Sequence, residues 1–594
     1  MKLNAIKYAM MLAAGAFAAG CTDITDYPDG RMSFDDVFQN PKLVGGYMNS
    51  CYISAVGDYG QRYADHTFLA SASDEAHDTD DAVGGTMYQW NSGFMTPFSV
   101  PWHWIEISGN TVKQREDIWN YYAAIRRCNI MVDRVESATI RLDSERESYR
   151  GEARGLRSYY YLELIRNYGG VPLVLDNTTE LEDDWGTARK ATFSEVAQQI
   201  IKDSREVIYD NTFLEWTSGV TDQAMNRWNK AMSAAVMSEA ALYAASPLNN
   251  DGTITWADAA EICKEALDLC TSNGYALVTR QPENDYLRTS YNAYDYFFTS
   301  AIDTRAVNDT ESILYAKNRM DAWQYCGRPT TEGQSSAGSC PSQELIDSYE
   351  TLQGEMPVLG YADADHLQPI LNPAAQYDEQ NPYENRDPRL MATVYHHGSR
   401  LMPLEEDGLV DIREGGNCQV SDNQVRYTRT GYYIRKFSSP SSSRSGNNDG
   451  YMRRMRLAEL YLNYAEAANE ASVDGKAPDR AVRAVNQVRA RVGMPELPYG
   501  MSQDEFRTRV RNERRVELAY EGHRFYDVRR WKILDQTDKV VTGVKVDADG
   551  RYSRFVVSRR NAWQDKFLRL PIPGDEVARL MMQTGVNMQN PGWN

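Results

Sequence analysis

Hydrophobic residues recur at helical spacing in three blocks of the chain, at about residues 112–167, 192–273 and 453–531. In the third block, the apolar face carries Leu457, Leu460, Tyr461, Tyr464, Ala465 and Ala468. A face of this period is typical of an amphipathic helix, and its alanines allow a second helix to approach closely. The pattern therefore predicts helical hairpins that stack on neighbouring hairpins, as in solenoid proteins.

The chain between the second and third blocks, from about residue 275 to 450, has no such period. Gly, Ser, Pro and Asn accumulate in residues 331–339 and 438–450, which predicts solvated loops. Short β-like runs at 424–428 and 551–557 predict small hairpins. The predicted fold class is mainly α, a helical scaffold with a large loop-rich excursion and a few short β-hairpins. Scaffolds of this kind carry function on their loops.

Charged and large apolar side chains are interleaved between residues 513 and 531. The charged members are Glu513, Arg514, Arg515, Glu517, Glu521, His523, Arg524, Asp527, Arg529 and Arg530. Because such a mixture cannot be fully solvated, we expect partly buried arginine–carboxylate pairs. Glu513, Glu517 and His523 are also candidates for acid–base chemistry. A structural ion-pair network is favoured, because the arginines outnumber the carboxylates and would hold them ionised.

The first twenty residues have the pattern of a targeting segment. Lys2 and Lys7 precede an apolar run of about 12 residues, which is shorter than the roughly 20 needed to span a bilayer as a helix. Ala18-Ala19-Gly20-Cys21 then reads as a lipobox, although Leu is commoner than Ala at the position of Ala18. We expect Cys21 to carry the lipid and to anchor the mature N terminus.

Composition narrows the classes of ligand. The formal net charge of −19 disfavours nucleic acid and anionic lipid headgroups as partners and favours a neutral ligand. The 38 Tyr and 12 Trp, against 15 Phe, combine flat apolar faces with polar edges, which suits sugar rings. The eight Cys and seven His form no CxxC or HExxH spacing, so no zinc site is predicted.

Aromatic residues in polar loops are the candidate ligand contacts. The predicted ligand-facing regions are about residues 70–105 and 280–450. Five rings and two polar partners are the candidate ligand-binding residues, namely Trp90, Trp104, Tyr296, Trp323 and Tyr325 with Asp74 and Asn91. Trp90 and Trp323 are expected to be exposed loop rings, because they lie among polar residues without helical periodicity.

The acidic run from Ser73 to Asp81 is a candidate calcium loop, since hard cations bind clustered oxygens. It lacks the Gly and the distal Glu of an EF-hand, and acidic runs are usually solvated. No G-x-S-x-G, Walker or dinucleotide fingerprint occurs in the chain. Apart from the calcium alternative, no cofactor is expected.

The segment from Arg453 to Trp531 closely resembles the C-terminal signature of the SusD/RagB family of outer-membrane nutrient-binding lipoproteins. Other segments along the chain are also similar to family motifs and occur in the order typical of the family. They lie at 119–129, 157–161, 168–173, 240–248, 385–389, 571–573 and 589–593. The resemblance implies a lipoprotein signal peptide at 1–20 and one SusD-like domain at 21–594. Its scaffold, at about 112–275 and 453–531, would consist of tetratricopeptide-like helix pairs. The loops at 74–104 and 281–339 are less typical, and such loops meet ligands in this family.

The resemblance implies a surface-exposed protein of the outer membrane, lipid-anchored through Cys21. It would capture oligosaccharides or polysaccharides and deliver them to a SusC-like TonB-dependent transporter, without a catalytic step. One alternative ligand is a peptide, as in the RagB branch. A remote alternative is a glycoside hydrolase with two opposed carboxylates, although no such pair stands out in the sequence.

Overall fold

The computed structural model describes residues 32–52, 68–98, 105–107, 114–116, 121–176, 186, 188–217, 227–280, 292–299, 309–316, 336–400, 408–437 and 452–593. Its α-helices are α1 (Phe34–Phe38), α2 (Pro41–Cys51), α3 (Thr86–Asn91), α4 (Tyr121–Arg134), α5 (Asp143–Tyr168), α6 (Phe193–Arg205), α7 (Lys230–Ala245), α8 (Trp256–Ser272), α9 (Ala293–Thr299), α10 (Gln343–Ser348), α11 (Pro388–Thr393), α12 (Leu457–Glu470), α13 (Asp479–Ala490), α14 (Gln503–Glu517), α15 (His523–Arg530), α16 (Leu534–Thr537) and α17 (Gly574–Thr584). Its strands are β1 (Ala76–Asp78), β2 (Ile105–Ile107), β3 (Gln114–Glu116), β4 (Ser312–Ala316), β5 (Ser339–Pro341), β6 (Val358–Tyr361), β7 (Pro369–Leu371), β8 (Val394–Tyr395), β9 (Tyr433–Ile434), β10 (Met452–Arg456), β11 (Val540–Val546) and β12 (Tyr552–Arg559). Among these residues, no helix combines the length and the apolar composition needed to cross a bilayer.

The helical scaffold is continuous in space although the excursion interrupts it in sequence. Helices α4 to α8 pack each against the next along the chain. Helix α8 then packs against α12, which begins only after the excursion, and α12 contacts both α13 and α14. The predicted mainly α scaffold of stacked helix pairs is confirmed. It begins at Tyr121 rather than near residue 112, because residues 114–116 form strand β3.

Local sequence determines where several scaffold helices begin. Three of them start with a capping box, in which the N-cap hydroxyl and the N3 carboxylate each accept a backbone N–H. The N-cap and N3 residues are Thr192 and Glu195 in α6, Thr255 and Asp258 in α8, and Ser502 and Glu505 in α14. These starts are specified within four residues and require no tertiary contact.

A glycine allows the closest approach within the scaffold. A Cβ atom at Gly155, in α5, would lie 1.9 Å from the indole nitrogen of Trp228. That indole is buried, and its N–H donates to Ser233 Oγ of α7 at 2.8 Å. The tryptophan thus fills the contact between α5 and α7, and it has room only because residue 155 has no side chain.

Six two-stranded antiparallel sheets occur in the described part of the chain, and the longest is the hairpin β11–β12. The predicted strand at 551–557 corresponds to β12. The predicted strand at 424–428 is wrong, since that segment is a loop and the nearest strand is β9. Arg429 donates to the carbonyl oxygens of Ser421 and Gln424, which curls the segment around its guanidinium group.

Two hydrophobic cores meet at α14. One core lies within the helical scaffold and includes Phe506 and Val510 of α14. The other lies beneath the excursion and β11, and it includes Val516 at the end of α14 and Tyr520 just beyond it. The segment from Arg453 to Trp531, which we call the signature segment, therefore joins the scaffold to the excursion.

The predicted arginine–carboxylate network is present at this joint and is buried. Glu517 is 0% exposed. It accepts hydrogen bonds from Arg389 at 3.0 Å, from Arg456 at 2.7 Å and from Arg491. Burial alone would raise the pKa of Glu517, but the three guanidinium groups outweigh burial and hold it well below its usual value. The three arginines come from the excursion, the end of β10 and the end of α13, so a single carboxylate ties these parts together.

Candidate functional site

The two regions predicted to face a ligand meet in the structure. Strand β1 pairs antiparallel with β5, in the register Ala76 with Pro341 and Asp78 with Ser339. The backbone N–H of Phe68 donates to Ser339 Oγ at 2.8 Å. We call residues 68–81 and 336–341 the loop junction. It brings the bases of two loops together that lie more than 250 residues apart in the chain.

Asp74 fastens the loop junction to the signature segment. Its carboxylate accepts two hydrogen bonds from Arg524, both at 2.8 Å, and lies 2.9 Å from Arg515 Nη2. Burial would raise the pKa of Asp74, but Arg515 and Arg524 lower it to about 2. The expectation that Asp74 meets the ligand is wrong in this structure, because the side chain is buried and two guanidinium groups occupy its oxygens.

Trp90 and Asn91 are also buried, and the expectation that Trp90 is an exposed loop ring is wrong. Trp90 is 0% exposed in α3, and its ring lies 4.9 Å from that of Phe567 in an edge-to-face arrangement. The Asn91 amide donates to the carbonyl oxygen of Ser71 at 3.0 Å. The buried residues Met87, Trp90 and Asn91 follow a helical i, i+3, i+4 spacing, a signal that the polar surroundings concealed.

Tyr296 is 7% exposed, in the buried helix α9. The adjacent Asp295 forms a buried ion pair with Arg435, and Tyr294 donates to the carbonyl oxygen of Glu517 at 3.0 Å. Helix α9 therefore belongs to the packed interior, and the expectation that Tyr296 faces a ligand is wrong. Trp104, Trp323, Tyr325 and Cys21 lie outside the described residues.

Exposed aromatic rings remain beside the loop junction. Tyr88, on the outer face of α3, is 40% exposed, and Phe94 is 66% exposed. Their ring centroids are 6.5 Å apart at an interplanar angle of 67°. Neither ring is among the ligand contacts predicted from the sequence, although Tyr88 precedes the candidate Trp90 by two residues and Phe94 follows it by four. We call these two residues the exposed aromatic pair.

Asp80 holds the helix that carries Tyr88. Its carboxylate accepts the backbone N–H of Met87 at 2.9 Å, near the start of α3. Burial raises the pKa of Asp80, and the negative charges of Asp78 and Asp81 raise it further, to about 8. A side chain at Gly85 would collide with this carboxylate, since a Cβ there would lie 2.4 Å from Oδ2. The orientation of α3 thus depends on Asp80.

The carboxylates of the acidic run face separate partners. Asp81 pairs with His77 at 3.0 Å and with Arg429 at 2.6 Å. Asp78 accepts from Ser339 Oγ at 3.2 Å. Across the part of the chain that the structure describes, no three His, Cys, Asp or Glu side chains are grouped to hold a metal ion. The calcium hypothesis thus has no geometric support from these residues.

The acid–base candidates of the signature segment lie in the interior. Burial lowers the pKa of His523 well below its usual value, and the ring lies 3.7 Å from Glu459. Glu513 is buried against Arg389 and Arg489. Both side chains are buried, which agrees with a structural role.

Comparison with known proteins identifies the family. Residues 295–593, half of the chain, match the family model of the SusD family. The chain belongs to the SusD family. Residues 62–242 match a second SusD-like family model, described as starch-binding associating with outer membrane. The second match includes residues 68–81 of the loop junction, and the first includes residues 336–341.

Relatives and solved structures agree with this assignment. SusD-like protein P2 of Formosa agariphila is 29% identical over 185 residues, which is 30% of this chain and 32% of the relative. SusD-like protein P25 of the same organism is 37% identical over 167 residues, 27% of this chain and 28% of the relative. The chain thus matches these curated relatives over about a third of their length.

The SusD-like fold extends over nearly the whole chain. A SusD-like protein from Bacteroides fragilis superposes with a TM-score of 0.73 at 25% identity, covering 94% of this chain and 98% of its own. Surface glycan-binding protein A from Bacteroides fluxus has a TM-score of 0.58 at 17% identity, covering 93% and 99%. A laminarin-binding SusD-like protein has a TM-score of 0.55 at 21% identity, covering 93% and 100%. At 17% and 21% identity, the similarity to these last two proteins shows a shared fold alone.

Proposed function

We propose that this SusD-family protein is a glycan-binding lipoprotein of the outer membrane that captures oligosaccharides or polysaccharides without cleaving them. The observation that carries the proposal is the family match over residues 295–593. The names of the neighbours support a glycan as the ligand, since one binds laminarin and another is a surface glycan-binding protein. The net charge of −19 favours a neutral glycan.

The ligand surface would lie above the loop junction. The exposed aromatic pair would border it, and Trp104, Trp323 and Tyr325, which lie outside the described residues, remain candidate contacts on the evidence of the sequence. Aromatic rings stack on the C–H faces of sugars, each contributing about 1–2 kcal/mol by analogy with other stacked contacts. A junction braced by Asp74 and its two arginines holds the loop bases in place while the loops meet the ligand.

Binding is tested by affinity gel electrophoresis and calorimetry with neutral polysaccharides, including laminarin and starch. We expect at least one polymer to bind, and Trp323→Ala and Tyr325→Ala to weaken it roughly tenfold each. Tyr499→Ala is the matched control, because Tyr499 is an exposed ring on another loop. Binding of peptides in place of every neutral polysaccharide would support the RagB-like alternative.

The same incubations test for catalysis. No reducing ends should appear from a polymer that the protein binds. A hydrolysis product that disappears with a single carboxylate substitution would instead support the glycoside hydrolase alternative.

The partner would be a SusC-like TonB-dependent transporter, for which the bound glycan is the cargo. We expect the protein to copurify with such a transporter from detergent-solubilised outer membranes. Copurification with no transporter, under conditions that preserve other membrane complexes, would contradict this part of the proposal.

A further inference from the structure

A cleft of about 400 Å³ opens between helices α8, α12 and α13 of the helical scaffold, and none of its lining residues belongs to the loop junction. Its lining residues are Lys264, Leu267, Asp268, Tyr461, Tyr464, Arg480, Arg483, Ala484 and Gln487. Helix α12 packs against both of the other helices, so the cleft follows from the stacking of the scaffold. Its volume falls within the range of small-ligand sites.

One wall of the cleft carries uncompensated positive charge. Arg480 and Arg483 lie three residues apart on the exposed face of α13. Neither forms a hydrogen bond or an ion pair with any described residue, in contrast to the paired arginines of the signature segment. On the opposite wall, Lys264 is paired with Asp268, so that wall is locally neutral. The guanidinium groups therefore dominate the local charge.

The floor of the cleft is aromatic and polar. Tyr464 is nearly buried beside the small side chain of Ala484, and Tyr461 is partly buried. Burial raises the pKa of Tyr464, while Arg480 and Lys264 act in the opposite direction, so both cations lie within electrostatic reach of its hydroxyl. Gln487 adds an exposed amide that both donates and accepts hydrogen bonds.

These features indicate which anion the cleft would accept. Arginine pairs with a carboxylate through two parallel hydrogen bonds, and tyrosine offers a flat apolar face with a polar edge. A long polyanion or an acidic protein would be repelled by a chain whose net charge is −19. A short ligand with one carboxylate suffers little of this repulsion, because exposed charges beyond about 10 Å are screened by salt.

We propose that the cleft between α8, α12 and α13 is a second ligand site that binds a uronate, a sugar ring bearing a carboxylate. The carboxylate pairs with Arg480 and Arg483, and the ring lies against Tyr461 and Tyr464. This site is separate from the loop junction and does not depend on the proposed neutral-glycan site there.

The probe is a disaccharide of glucuronic acid and glucose, measured by calorimetry with the whole mature chain. We expect Arg480→Gln and Arg483→Gln each to weaken binding several-fold, and the double variant to weaken it at least tenfold. The matched control is Arg551→Gln, which removes the same charge from the exposed β11–β12 turn. Melting temperatures should be unchanged, because both arginines are exposed and unpaired. Wild-type affinity in the double variant overturns the proposal.

Three further measurements separate the proposal from its alternatives. The carboxyl-reduced disaccharide should bind at least tenfold more weakly, and equal binding overturns the proposal. A hexapeptide of glutamate should not compete, and binding of the peptide without the disaccharide assigns the cleft to acidic peptides instead. The double variant Trp323→Ala/Tyr325→Ala should keep full affinity for the uronate. Loss of affinity there would place the uronate at the loop junction and overturn the second site.

Discussion

At the residue scale, the chain places many ionised groups in its interior by pairing carboxylates with arginines. Glu517 shows the arrangement most fully, with partners from three separate parts of the chain. Its pKa lies well below the usual value, so the carboxylate is ionised at neutral pH. Removing one member leaves buried positive charge without compensation, which costs more than the pair contributes.

Glu517→Ala should therefore destabilise the fold by about 3–5 kcal/mol, because Arg389, Arg456 and Arg491 would lose a shared partner. Urea denaturation measures the loss. Glu496→Ala, at an exposed position with no partner among the described residues, should change stability by less than about 0.5 kcal/mol. Glycan affinity of the folded fraction should be unchanged. Unaltered stability together with abolished binding would move Glu517 into the ligand site.

Glu75, next to Asp74, is the opposite case. Burial raises the pKa of Glu75 from 4.5 to about 7, against the effect of a backbone hydrogen bond from Tyr520. The folded protein therefore retains a proton that the unfolded chain releases, so this group lowers stability as the pH rises from about 4.5 to 7.

In Glu75→Gln the side chain is neutral at every pH, so its stability does not fall with the ionisation of residue 75. Relative to wild type, its free energy of unfolding should increase between pH 5 and pH 8 by up to about 3 kcal/mol. Urea denaturation at both pH values measures the difference, with Glu496→Gln as the exposed control that should follow the wild type. A difference between Glu75→Gln and wild type that does not vary with pH would show that Glu75 is ionised in the fold throughout.

At the element scale, helix α3 has two faces with different roles. Its inner face buries Met87 and Trp90 in the scaffold core, where Trp90 packs on Phe567 and Phe525. Its outer face exposes Tyr88 toward Phe94. Asp80 fixes the start of the helix and therefore which residues lie on each face.

Two substitutions in α3 should therefore differ sharply in stability. Trp90→Ala removes a fully buried indole and should cost about 3–5 kcal/mol. Tyr88→Ala, two residues earlier, should cost less than about 0.5 kcal/mol, because its ring is exposed. Thermal unfolding distinguishes them, and wild-type melting of Trp90→Ala would contradict the placement of this ring in the core.

At the scale of the whole molecule, one candidate ligand surface is formed by loops and the other by stacked helices. The loop junction lies where two distant loops meet, and the cleft lies on the stacked helices. Among the residues that the structure describes, no helix is long and apolar enough to cross a membrane. The proposed lipid at Cys21 would anchor the chain to the outer membrane through its acyl chains.

Labelled palmitate should therefore enter the wild-type protein and not Cys21→Ala. The variant should move from the membrane fraction to the released fraction, with the same melting temperature. Cys51→Ala is the control, because Cys51 is buried in the scaffold, and this variant should take up the label as the wild type does. Retention of Cys21→Ala in membranes, with no label in the wild type, would contradict the anchor.

The sequence by itself determined the scaffold, the buried arginine network and the family resemblance. Helical period and capping boxes act within a few residues, as at Thr255 and Asp258, so they are visible without the fold. The excess of arginine around Glu517 likewise predicted partly buried ion pairs, because charges interleaved with large apolar side chains cannot all be solvated.

Only the tertiary structure decided which aromatic and acidic residues are exposed. Trp90 is buried by Phe567, hundreds of residues away, and Asp74 is held by Arg515 and Arg524 from the other end of the chain. Local polarity placed both among ligand contacts, because short-range patterns carry no record of what covers a side chain. Exposure is set by long-range packing between segments that are distant in the chain, as where β1 pairs with β5.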